Sequence, residues 1–144
     1  MTMTTVRKSG VAGKYYLLDA KGISLGRVAS RAASLLRGKA EVDFTPHVSA
    51  NNTVVVVNIA AIKFTGAKEE KKIYYHHSGY PGGLKQASLG TLLQEKPLEV
   101  MKKAVYGMLP KNRLRPGIMK KLKMFLATDH PYQGKEIKQV NLSI

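Results

Sequence analysis

The chain has 144 residues, no cysteine, and 24 lysines and arginines against 9 aspartates and glutamates, for a formal net charge of +15. Its length suits a single domain, and 44% hydrophobic residues are ample for a packed core. The missing thiols exclude disulfides and thiolate metal sites, and no apolar run approaches the roughly 20 residues of a membrane-spanning helix.

The first fourteen residues carry Arg7 and Lys8 with no apolar run behind them, so no secretory signal is expected in them. They are expected to form a loose basic extension that orders on a polyanion. Tyr15–Asp19 is an apolar run suited to a strand. Lys21-Gly22-Ile23 turns the chain, and Ser24 stands as an N-cap. From there Leu25, Val28, Ala29, Ala32, Leu35 and Leu36 fall on one helical face, with Arg27 and Arg31 opposite. Gly38 is placed to end that helix, flanked by Arg37 and Lys39, whose charges suit the negative end of its dipole. The unbroken valines Val54–Val57 predict a strand covered on both faces, as in a parallel sheet. Ile62–Thr65 and Ile73–Tyr75 are further strand candidates. Ser88–Glu95 reads as a short helix, and Pro97 opens another with Val100, Met101, Ala104, Val105 and Met108 as its apolar stripe. Leu122–Leu126 is expected to be the last strand. Strands alternating with helices predict an α/β sandwich with a mostly parallel sheet.

The most informative stretch is Tyr74-Tyr75-His76-His77-Ser78-Gly79-Tyr80-Pro81-Gly82-Gly83-Leu84-Lys85. Its rings offer faces on which bases stack, and Lys85 offers a charge for phosphate. Tyr80-Pro81-Gly82-Gly83 suits a type II turn, with proline at the second position and a positive-φ glycine at the third. Tyr75, His76, His77, Tyr80 and Lys85 are therefore candidate RNA-binding residues.

Positive charge is spread through the chain: residues 1–72 hold 12 basic and 5 acidic side chains, and residues 73–144 hold 12 and 4. An even surplus points to a folded body embedded in a polyanion, because the compact state otherwise bears the self-repulsion. Between Met101 and Thr128 there are eight basic residues and no acidic one. Of these, Lys111, Arg113, Arg115, Lys120, Lys121 and Lys123 follow the Pro97 helix, where Pro110, Pro116 and Gly117 break the pattern into loop. Such a cationic loop, braced by helices, suits a phosphate ribbon. Lys68, Lys71 and Lys72 form a smaller cluster, partly offset by Glu69 and Glu70. Arg37 and Lys39 join the set, because helix stabilisation and phosphate contact are compatible.

Catalysis has weaker support. The turn Gly22-Ile23-Ser24-Leu25-Gly26 lies between a strand and a helix, yet it is neither the dinucleotide fingerprint nor the phosphate loop. Adjacent His76 and His77 on a strand point to opposite faces and do not easily share one ion. Asp19 is the best candidate acid for an enzyme, and capping of the following turn is the more economical account of it.

Several ordered motifs then match a family: Leu25-Gly26-Arg27-Val28-Ala29-Ser30, Leu36-Arg37-Gly38-Lys39, Phe44-Thr45-Pro46-His47, Thr65-Gly66-Ala67-Lys68, the Tyr74–Gly79 stretch with Gly82-Gly83, and Ala104-Val105-Tyr106-Gly107-Met108-Leu109-Pro110. From about Tyr15 to about Pro131 the pattern closely resembles bacterial large-subunit ribosomal protein L-thirteen. The resemblance implies a three-layer α/β/α domain over residues 15–131, with the basic extension before it and a tail over 132–144. It further implies 23S-type rRNA and neighbouring large-subunit proteins as partners, early assembly, a cytoplasmic place in the ribosome, and no catalysis, cofactor, metal, membrane or small-molecule substrate.

Overall fold

The computed structural model describes residue 8 and residues 10–142, so most of the expected basic extension lies outside the described residues. Twelve elements follow in order among them. They are β1 (Tyr15–Asp19), α1 (Leu25–Arg37), β2 (Thr53–Val57), a 3-10 turn (Ile59–Ala61), α2 (Lys68–Lys71), β3 (Ile73–His77), β4 (Leu84–Ser88), α3 (Leu89–Glu95), α4 (Pro97–Met108), α5 (Arg115–Met119), β5 (Leu122–Met124) and β6 (Ile137–Val140).

Four strands form one sheet in the order β5-β2-β1-β6, every neighbouring pair parallel. This is the expected α/β sandwich around a parallel sheet. Val54, Val55 and Val56 of β2 are fully buried, each contributing about 1.5–3 kcal/mol by leaving water. Their placement follows from β2 lying between β1 and β5. Tyr16 and Leu18 join Val54 and Val56 against Val28, Ala32 and Leu36 of α1, with Met101 and Val105 of α4 in the same cluster. Val55 and Val57 face the other way and are also buried. At the edge of that face Tyr15 meets Tyr132, ring centres 6.1 Å apart, and Phe125 meets Tyr132 at 6.3 Å. The C-terminal segment thus packs where a parallel sheet needs its second cover.

Local signals place the ends of α1. Ser24 occupies the N-cap with extended backbone, although its side chain makes no capping bond. Gly38 takes the left-handed conformation (φ 72°), and the N–H groups of Gly38 and Lys39 donate to Leu35 O and Ser34 O. A Cβ at Gly38 would also lie 2.5 Å from that of Ala50. Ser88 caps α3 by accepting from the Thr91 N–H.

Four expectations are corrected. Ile62–Thr65 is not a strand: it contributes one isolated bridge, Lys63 to Ser24, because its backbone pairs with the turn before α1 and with no neighbouring strand. The last expected strand stops at Met124, and Phe125 turns to serve the 3-10 turn, its carbonyl accepting from the Ile59 N–H. Strand β6 follows it and pairs with β1, Tyr15 opposite Ile137. Met108, expected inside the α4 stripe, is 44% exposed, since the stripe turns out of the core at the last turn of the helix.

Candidate nucleic-acid interface

The aromatic stretch is a β-hairpin. β3 and β4 pair antiparallel, His76 opposite Lys85 and His77 opposite Leu84. Tyr80–Gly83 closes it as the expected turn, with the Gly83 N–H donating to Tyr80 O at 2.9 Å and Gly82 at φ 70°. Alternation puts Tyr74 on the inner face, where it packs beside Leu89, Leu92 and Val100. Tyr75 is thereby turned outward and is 62% exposed, and Tyr80 at the tip is 77% exposed. His76 and His77 are both exposed and lie on opposite faces of β3. The His77 Nδ1 accepts from the Gly79 N–H, which steadies the loop. Among the described residues no group of three His, Cys, Asp or Glu side chains is arranged to hold a metal ion.

Lys68, Lys71 and Lys72 sit on and just after the single turn of α2, all exposed. Lys72 Nζ stands 5.2 Å from the centre of the Tyr74 ring and Lys103 Nζ 5.0 Å from it. The hairpin base is therefore held between cations from α2 and α4.

The second basic region gathers around the opposite end of the sheet. Arg37 lies over Phe44, 5.5 Å from the ring centre, and lines a small cleft with Pro110, Asn112, Leu114 and Ile118. Two clusters that are more than seventy residues apart in sequence thus meet. Pro116 stands in the first turn of α5, where it does not act as a break. Arg115 is half-buried, its guanidinium stacked 3.8 Å from the Tyr106 ring centre. Lys121 is also half-buried, its ammonium donating to Asn51 Oδ1. Lys39, Lys111, Arg113 and Lys120 are exposed, and Lys123 is partly covered within β5.

Behind this region Asn52, 1% exposed, ties three segments together. Its Nδ2 donates to Leu35 O at 3.0 Å and to Glu41 Oε1 at 2.8 Å, and its Oδ1 accepts from the Lys14 N–H.

The candidate residues therefore separate into two groups at opposite ends of the sheet. Helix α1 runs between them with thirteen residues, about 20 Å at 1.5 Å per residue. Sequence reasoning overlooked Lys63 and left Arg27 and Lys103 out of the set. These three line a groove with Lys68 and Lys72. Lys63 carried no local signal; Lys103 belonged to the acid-free run after Met101. Asp19 caps the turn after β1, its Oδ1 accepting from the Lys21 N–H at 3.0 Å and from Asn58 Nδ2 at 2.8 Å. That partnership occupies the one carboxylate considered for catalysis.

A parallel α/β body with exposed cations gathered toward both ends of its sheet has the build of a basic, polyanion-facing protein. Residues 13–131 match the family of ribosomal protein L13, and the chain belongs to that family. The large ribosomal subunit protein uL13 of Syntrophus aciditrophicus is 49% identical over 129 residues, 90% of this chain and 91% of the relative. Its counterparts in Geobacter sp. strain M21 and Alcanivorax borkumensis are 45% and 42% identical over 142 residues, 99% of this chain and 100% of each. The family is a structural component, not an enzyme.

Proposed function

We propose that the chain is a structural constituent of the large ribosomal subunit, contacts its 23S-type rRNA and joins early in assembly. The observation that carries this is the placement of two cationic groups at opposite ends of one rigid sheet, the hairpin at one end and the Lys111–Lys121 region with Arg37 and Lys39 at the other. A body so charged bridges two RNA segments that repel each other and holds their separation. Phosphate contacts position it, with little reading of base sequence, and the exposed rings Tyr75 and Tyr80 add stacking on unpaired bases. Early entry is consistent with a domain that carries its own core and needs only folded RNA as counterion. Neighbouring large-subunit proteins are the further partners, and the assembled particle in the cytoplasm is its place.

The test replaces Lys111, Arg113 and Lys120, all exposed, with alanine and measures incorporation by sedimentation of large subunits. Incorporation falls while the purified variant melts as the parent does. Undiminished incorporation removes these residues as an anchor. Pulse labelling tests the order of entry: the protein appears in the smallest precursor particles, and its appearance only in mature subunits contradicts early assembly.

A further inference from the structure

Between the start of α1 and the last turns of α4 runs an open groove of about 780 Å³, lined by Arg27, Lys63, Lys68, Lys72 and Lys103. All five are exposed, and no carboxylate is among the described residues that line the groove. Like charges converging from four segments repel one another. Lys72 and Lys103 each place an ammonium group about 5 Å from the Tyr74 ring, at the groove's side. An anion in the groove is attracted to all five cations.

The groove floor carries a second, independent signal. Gly26 lies in the first turn of α1 and Gly107 in the last turn of α4, and both line the groove. Glycine inside a helix is less favourable than alanine. Packing explains neither residue, because a Cβ built at Gly26 or at Gly107 meets nothing within 4 Å. Among the described residues nothing fills the space beside either backbone, so the groove lies open to a ligand at both positions. At Gly26 the approach also meets the start of α1, where the Ser24 side chain makes no capping bond and its carbonyl accepts from the Arg27 N–H.

The geometry points to this groove as a seat for a run of closely spaced phosphates in an RNA backbone, laid along the Gly26 and Gly107 floor and neutralised by the five cations. The inference rests on the rRNA reading above and adds a site separate from the hairpin tip and from the Lys111–Lys121 region. The chemistry recognised is phosphate oxygen; the commitment to a polymer follows from an open groove whose cations lie along its length.

The experiment uses the purified full chain, a transcript of large-subunit rRNA, and inorganic pyrophosphate as the free-anion probe. Gly26→Ala with Gly107→Ala raises the melting temperature, by about 2–4 °C per site, and weakens rRNA binding. Gly107→Gln, which is bulkier, weakens it at least about tenfold. Arg27→Gln with Lys63→Gln lowers the slope of log affinity against log salt by about 1.4, since each phosphate neutralised on a single strand adds about 0.7 to that slope. If all these variants bind rRNA as the parent does while Tyr75→Ala with Tyr80→Ala weakens binding, the groove is overturned and the rRNA reading stands. If the parent itself does not bind the transcript, that reading falls and the inference with it. If pyrophosphate shifts the Gly26 and Gly107 amide resonances and rRNA does not compete, the groove serves a free anion, and the polymer assignment is overturned.

Discussion

The guanidinium of Arg115 lies 3.8 Å from the centre of the Tyr106 ring, fastening the first residue of α5 to the outer face of α4. Lys111 and Arg113, in the segment between those two helices, are exposed. The three cations therefore do different things. Arg115→Ala lowers stability by about 0.5–2 kcal/mol through loss of the cation–ring interaction and its packing. Lys111→Ala and Arg113→Ala each stay within about 0.5 kcal/mol of the parent. Denaturant melts of the three single variants check this; equal losses in all three contradict the assignment.

Asn52 is the buried polar hub of the structure. Its amide serves Leu35 O, Glu41 and the Lys14 N–H at once. Asn52→Ala leaves several of those groups without their partner in a dry site, and the cost is about 2–4 kcal/mol. A thermal melt measures it. A loss below about 1 kcal/mol, within the range of one ordinary hydrogen bond, shows that water replaces the amide and that the hub is not what ties α1 to β1.

The hairpin separates recognition from folding. Tyr75 and Tyr80 project outward, so alanine at either leaves the core untouched. Each removes about 1–3 kcal/mol of rRNA binding if a base stacks on the ring, while the melting temperature holds. Gly83→Ala behaves in the opposite way: its Cβ falls 2.0 Å from Ser78 Oγ and 2.9 Å from the backbone oxygen of Tyr80, so the turn shifts and binding falls together with hairpin order. Comparing amide exchange in β3 and β4 with rRNA affinity distinguishes the two effects.

Lys135 supplies a pH dependence. Its ammonium donates to Tyr15 OH at 2.8 Å and lies over the Tyr15 ring at 4.6 Å. The hydrogen bond to Tyr15, followed by that residue's charge, raises the Lys135 pKa above its ordinary 10.5. A folded value above the unfolded one means that the contribution is fully present below pH 10.5 and is lost as pH rises through the folded value. Lys135→Met removes it at every pH. The gap in melting temperature between parent and variant is thus constant from neutral pH to about 10 and closes above that; a gap that widens with alkali reverses the sign.

Much of the fold was legible because its signals are local. Val54–Val57 announced a central strand, Gly38 a helix end, and Tyr80-Pro81-Gly82-Gly83 a turn, each through a constraint on φ or on side-chain spacing. Less legible were elements whose meaning depends on a partner. Ile62–Thr65 has the composition of a strand, yet among the described residues it makes a single isolated bridge, to Ser24, and the Lys63 N–H donates to Ile23 O. Ile137–Val140 looked like part of a tail, and it became a strand because the open edge of β1 lies beside it. Pro116-Gly117 looked like a break and instead stands in the first turn of α5, where proline forfeits no hydrogen bond.

The candidate interface divides in the same way. The hairpin residues and the acid-free run were visible as composition. Their separation to opposite ends of the sheet was not, nor was the meeting of Arg37 with Asn112 and Leu114 in one cleft.

Sequence by itself determined the charge surplus, the exposed aromatic turn and the boundaries of the main helices, because each arises within a few consecutive residues. Tertiary structure alone decided that Arg27, Lys63 and Lys103 share one groove and that Tyr15 is held by Lys135, 120 residues away. The physical reason is sheet closure: parallel pairing brings distant segments together at fixed spacing, and no local pattern encodes which cations then face the same space.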